Sequence, residues 1–108
     1  MKRWKRFLLL GFVFILLTGC TANHSESYRR ALDIFASGEY EEAAQAFEKL
    51  GDYQQSAQYA AYSRGLVLWE QGDYLNAEPY FEQCQTLLMG GQRYAYCHAC
   101  ALEAAGDA

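Results

Sequence analysis

The residues of this chain with the most chemistry to offer are thiols. Cys97-His98-Ala99-Cys100 sets two cysteines around an imidazole, and Cys84 lies upstream of them. Three thiolates and a histidine could hold zinc tetrahedrally, and a C-x-x-C pair could cycle between dithiol and disulfide. A structural zinc site usually presents its C-x-x-C on a turn, whereas this pair lies inside an Ala-rich helical run. Haem attachment needs a histidine directly after the second cysteine, and here none follows. Cys84, Cys97 and Cys100 are therefore read as small buried packers, with a disulfide from Cys84 to Cys97 or Cys100 as the variant that an oxidising compartment would allow. Metal or redox work is the alternative. Nothing else assembles a reaction. There are 2 histidines in all, no glycine-rich phosphate loop and no serine elbow, and the paired carboxylates fall on helix surfaces. No catalytic residue, metal ligand or cofactor is expected, and the chain does not read as an enzyme.

The fourth cysteine, Cys20, belongs to a different kind of segment. Lys2, Arg3, Lys5 and Arg6 form a basic head, followed by the apolar run Phe7 to Leu17. That run is short for a membrane span, which takes about 20 residues, and has the length of the apolar region of a secretory signal. Leu17-Thr18-Gly19-Cys20 closes it. This ending resembles the lipobox of bacterial lipoproteins, and the resemblance implies a diacylglyceryl thioether on Cys20 and cleavage before it. Only a thiol forms that thioether, and two or more acyl chains make an attachment durable where one does not. Residues 1–19 are thus expected to be a lipoprotein signal peptide and 20–24 a lipidated tether. The protein would be held on the bacterial cell membrane or outer membrane, facing away from the cytoplasm.

Cleavage would also change the charge. The whole chain carries 9 basic and 13 acidic residues, but the part from Cys20 onward keeps only Arg29, Arg30, Lys49, Arg64 and Arg93 against all 13 acids, a formal charge of about −8. Nucleic acid and anionic surfaces are bound through clustered Lys and Arg. No nucleic-acid partner is expected, and membrane affinity is assigned to the acyl chains rather than to a basic patch.

Beyond the tether the sequence repeats itself. Gly38, Gly72 and Gly106 keep a 34-residue stride, as do Tyr28, Tyr62 and Tyr96, while Ala43 matches Ala77, Phe47 matches Phe81 and Glu48 matches Glu82. A unit of this length with Gly-Asp/Glu-Tyr at its turn, then Ala and an aromatic residue, resembles the tetratricopeptide repeat. The resemblance covers about residues 25–108 and implies an all-α fold, an antiparallel helix-turn-helix α-solenoid of about two and a half repeats. Its third repeat stops at Gly106-Asp107-Ala108, so the domain is expected to be truncated at its C-terminus, with the last helix as a cap the alternative.

Composition agrees with helices: one Pro, many Ala, Leu, Glu and Gln, and no long alternating pattern. Helices are expected over Ser25–Ser37, Tyr40–Leu50, Tyr53–Gln71, Tyr74–Leu88 and Gln92–Ala105. Gly38, Gly51, Gly72 and Gly90-Gly91 should supply left-handed breaks, and Asp52 and Asp73 should cap the helices that follow. Ala43 and Ala77 facing Phe47 and Phe81 read as packing. Pro79 should kink its helix at a cost of about 3 kcal/mol. Arg30 and Arg64 stand where the repeat family usually has an apolar residue, and Gly51-Asp52-Tyr53 is an extra turn motif.

In this family the first helix of each repeat lines a concave groove. Tyr59, Tyr62, Leu66 and Trp69 share one helical face, and Tyr28 and Tyr96 would stack beside Tyr62 through the 34-residue stride. Large aromatics dominate binding hot spots, so these six are the candidate partner-binding residues, with packing against neighbouring helices as their other use. Glu70, Asp73, Glu78 and Glu82 form an acidic group that is either solvated surface or a lure for a basic peptide. The function expected is a membrane-anchored scaffold that binds a protein or extended peptide. The alternative is an N-terminal adaptor for a downstream solute-binding or enzymatic domain. Sequence leaves the oligomeric state open.

Overall fold

The structure is a computed structural model that describes residues 24–106; the expected signal peptide, Cys20 and most of the tether lie outside the described residues. Five helices follow in order: α1 (His24–Ala36), α2 (Tyr40–Leu50), α3 (Ser56–Glu70), α4 (Tyr74–Glu82) and α5 (Gly90–Ala104). Each packs on the next, which makes two and a half helix pairs, the all-α repeat that the 34-residue stride predicts.

The repeat recurs at the level of single hydrogen bonds. Gly38, Gly72 and Gly106 have φ of 89°, 77° and 81°, a left-handed backbone in which a side chain costs energy. Their amides donate to the carbonyls of Phe35, Trp69 and Glu103 at 3.1, 3.0 and 3.0 Å. Asp73 caps α4 as expected, accepting from the Asn76 amide at 3.4 Å and from its side chain at 2.8 Å.

Packing repeats as well. Tyr28 meets Phe47 edge-on at 5.8 Å, and one stride later Tyr62 meets Phe81 at 5.6 Å. Phe35 meets Tyr40 at 5.4 Å, and one stride later Trp69 meets Tyr74 at 5.0 Å. In each pair of helices the start of one touches the end of the other, so the pairs run antiparallel. Ala43, Phe47, Ala77 and Phe81 are fully buried. They anchor two linked cores, one around Ala31, Ala43, Phe47 and Ala60, the other around Tyr62, Leu66, Phe81, Cys84 and Cys97.

α3 belongs to both cores and shows why small residues are needed. Gly65 backs onto the Phe81 ring so closely that an added Cβ would lie 2.8 Å from two ring carbons. On another face Ser56, Ala60 and Ser63 are buried. A helix sandwiched between two neighbours has no wide polar face to mark it, and its sequence looks less amphipathic than those of α1 and α2.

Three boundaries differ from the sequence expectation by more than one residue. α3 starts at Ser56 rather than Tyr53, because residues 51–55 form turns with Gln54 at φ 51°; Asp52 therefore caps nothing. α4 ends at Glu82 rather than Leu88. Past it the amides of Gln83, Cys84 and Leu87 reach back only three residues, a tighter winding that buries Cys84 and Leu87 and turns the chain. The left-handed residue of that turn is Leu88, at φ 50°. Gly90 and Gly91 are instead the first residues of α5, present for space rather than for φ: a Cβ on Gly90 would overlap the Cys84 carbonyl oxygen, and one on Gly91 would lie 2.9 Å from the Gln85 oxygen. Pro79 lies inside α4, which continues past it to Glu82.

Candidate functional site

The face of α3 singled out by sequence divides into core and surface. Tyr62 and Leu66 are 4% and 5% exposed, and both belong to the second core. Tyr59 is half-buried, stacked on Phe47 at 5.0 Å with Phe35 edge-on to it; burial pushes its phenol up, and Tyr28 adds to the shift. Tyr28 lies against Phe47, Tyr53 and Tyr59. The three stride-related tyrosines thus pack on other aromatic residues, Tyr28 on Phe47, Tyr62 on Phe81 and Tyr96 on Trp69, instead of on one another.

Farther along, α3, α5 and the start of α4 bring together a partly open aromatic surface. Trp69 meets Tyr74 at 5.0 Å and Tyr96 at 5.1 Å, and Tyr96 meets Tyr74 at 5.1 Å. Tyr96 keeps 51% of its surface exposed. Its phenol is pushed up by Cys100 foremost and then by Tyr74.

Sequence reasoning missed the residue that ties this surface together. Arg93, on the first turn of α5, places its guanidinium carbon 4.8 Å from the Trp69 ring centroid. Its Nε donates to the Tyr62 hydroxyl at 3.1 Å. That arrangement closes Tyr62 off from solvent. No carboxylate among the described residues pairs with Arg93, so the remaining guanidinium donors are available at the edge of the aromatic surface. Aromatic faces beside one positive fork can hold apolar side chains and backbone or carboxylate oxygens together.

The other polar residues have structural partners. Arg64 grips Glu48 with two bonds, Nε to Oε2 at 3.0 Å and Nη2 to Oε1 at 2.8 Å, and so ties α3 to α2. Arg30 pairs with Glu26 one turn back, at 3.2 Å. Bonding to Arg64 holds the Glu48 carboxyl below its ordinary value. A lowered carboxyl contributes stability above its unfolded value and loses it as pH falls through the folded one. Glu48→Gln should therefore cost less than about 1 kcal/mol near neutral pH, since both partners are solvent-screened. The difference from wild type should vanish in acid, as urea titrations at both pH values would record.

The acidic group does not gather in one place. Asp73 is occupied as a cap, Glu70 and Glu82 are exposed, and Glu78 meets His98 Nδ1 at 2.8 Å across α4 and α5. Nor do the cysteines form a site. Cys84 and Cys97 are buried, Cys100 is partly exposed, all three are free thiols, and no cluster of metal-ligating side chains occurs among the described residues. Burial pushes the Cys84 thiol up to about 11; burial, then Cys100, also pushes Cys97 up. Among these three, iodoacetamide should label Cys100 first in the folded protein. Cys84 should react at least about a hundredfold more slowly than a free thiol, because thiolate is the reacting form. Urea should abolish the difference, which peptide mapping would show.

The tetratricopeptide repeat family matches residues 58–87, a stretch that takes in most of α3, all of α4 and the turn that buries Leu87. Residues 58–87 thus form a tetratricopeptide-like repeat within the all-α array. No curated protein and no solved structure matches it. Repeats of this family are protein-interaction units and typically carry no catalytic machinery, in keeping with a described surface of aromatics and paired charges. No helix among the described residues is long and apolar enough to cross a membrane.

Proposed function

We propose that this repeat protein is a lipid-anchored interaction scaffold that holds an extended segment of a partner protein on the Trp69–Tyr96–Arg93 surface. The observation that carries the reading is the half-exposed Tyr96 packed on Trp69 beside a guanidinium with donors to spare. A monomer gains nothing by leaving such rings at the surface, whereas an interface gains much from aromatic and arginine anchors. Tyr62 and Leu66 belong to the core on which Trp69 packs and so support the surface from below.

The anchor is supported by the basic head, the short apolar run and Leu17-Thr18-Gly19-Cys20. Replacing Cys20 with Ala should release the protein from the membrane fraction, and full retention would count against the anchor. The binding surface is tested by recovering partners from detergent-solubilised membranes with wild type and with a Trp69→Ala/Tyr96→Ala variant. A specific protein should be recovered by wild type and lost by the variant; equal recovery would remove the surface from the account.

A further inference from the structure

The end of the array formed by α1 and α2 carries a second surface of different chemistry. A cleft of about 560 Å³ there is lined by His24, Arg30, Ile34, Ala46, Lys49 and Leu50, along with Ser27 and Ala31. No carboxylate lines it, although the chain as a whole is acidic. Arg30 and Lys49, two of the five cations that follow Cys20, meet here over an apolar floor. Arg30 also touches Glu26, but that pair is highly exposed, at 74% and 62%, so an anion arriving from solvent competes with it on favourable terms.

We infer that this cleft seats the headgroup phosphate of an anionic phospholipid, with Ile34 and Leu50 toward the acyl boundary and Arg30 and Lys49 on the phosphate. Charge complementarity is one argument. Position is the other: His24 lines the cleft, and only Thr21, Ala22 and Asn23 separate it from Cys20, a reach of at most about 14 Å. That proximity rests on the membrane-anchor reading of Cys20, while the cleft's charge and lining do not. The cleft would turn the α1–α2 end toward the bilayer and hold the Trp69–Tyr96 surface away from it. A basic patch thus adds to the acyl anchor locally, where the net charge of the chain would argue against it.

Lys49 is the only lysine after Cys20, which makes the test direct. The full chain is bound to vesicles of phosphatidylglycerol or of phosphatidylcholine at low ionic strength and pulsed with an amine-acetylating reagent, and the Lys49 peptide is quantified. Lys49 should acetylate about fivefold more slowly on phosphatidylglycerol, the protection expected of a basic group held at an anionic surface. High salt should remove the difference, and so should Arg30→Glu, a change at an exposed position that leaves both cores intact. Equal rates on the two vesicles would overturn the proposal. If Cys20→Ala failed to release the protein from membranes while Lys49 remained protected, the anchor reading would fall and the cleft would stand. Equal rates with anchoring intact would sink the cleft alone.

Discussion

Phe81→Ala should destabilise the protein by about 3–5 kcal/mol, the range for emptying a buried phenylalanine site. The ring is fully buried and touches Tyr62 at 5.6 Å and Trp69 at 6.0 Å, both edge-on, with Gly65 behind it. A loss of that size is a large share of the stability of a small domain, about 5–15 kcal/mol, so the urea midpoint should fall steeply. The same contact predicts a coupling. In wild type, Gly65→Ala drives a Cβ to 2.8 Å from the Phe81 ring, and a ring held by two aromatic neighbours cannot yield cheaply; overpacking of this kind costs about 1–3 kcal/mol. In the Phe81→Ala background the obstacle is gone and the helical gain of Ala over Gly, about 1 kcal/mol, remains. Gly65→Ala should then be stabilising, a change of sign that a double-mutant cycle by urea denaturation would register.

Gly90→Ala should be nearly as damaging, at about 3 kcal/mol or more, the upper end of overpacking costs. Its Cβ would overlap the Cys84 carbonyl oxygen and lie 2.9 Å from the Cys84 carbonyl carbon. Those are backbone atoms of the turn that buries Cys84 and Leu87, so relief requires α5 to lift from α4. Moving α5 would carry Arg93 and Tyr96 with it and open the candidate binding surface. Gly38→Ala is the control. Its φ of 89° makes any side chain strained, but nothing lies within 4 Å of the added Cβ, so the cost should stay near 1 kcal/mol. Urea midpoints of the two variants, with near-ultraviolet circular dichroism of the Trp69 environment, check both statements.

The contrast between these glycines marks what sequence could and could not say. Gly38, Gly72 and Gly106 are legible because a stride of identical residues needs only the chain itself. The stride also carries Ala43 with Ala77 and Phe47 with Phe81, and these form the buried pairs. Gly90 and Gly91 looked like one more break. Their actual constraint is the backbone of residues 84 and 85, a close approach that local patterning does not encode. The break itself falls on Leu88, whose positive φ no propensity would assign to leucine.

The candidate site was legible to the same depth. Periodicity put Tyr59, Tyr62, Leu66 and Trp69 on one face, but it does not reveal what lies opposite that face. Phe81 and Arg93 cover Tyr62, while Trp69 stays partly open and Tyr96 half-exposed. Arg93 went unnoticed because its partners, Tyr62 and Trp69, are distant in sequence and belong to another helix. Arg64 was noticed only as a departure from the family pattern; its bidentate bond with Glu48 explains how a charge is held there. Asp73 could be read as a cap from its position after Gly72, whereas Asp52, in the same local sequence, is displaced by the turns that follow it.

Two tyrosines one stride apart have different jobs: Tyr62 on α3 holds the fold, and Tyr96 on α5 is proposed to meet the partner. The most direct measurement takes an unstructured peptide selected on wild type from a displayed library and compares two variants, Tyr62→Phe and Tyr96→Ala, by peptide affinity and urea midpoint. Tyr96→Ala should weaken binding by at least about tenfold, a hot-spot loss, with little change in midpoint. Tyr62→Phe should keep the buried ring but lose the Arg93 bond, lowering the midpoint by an amount equivalent to about 1 kcal/mol and leaving most of the affinity in place. Unchanged affinity in Tyr96→Ala, or a peptide that depends on Tyr62 alone, would contradict the account.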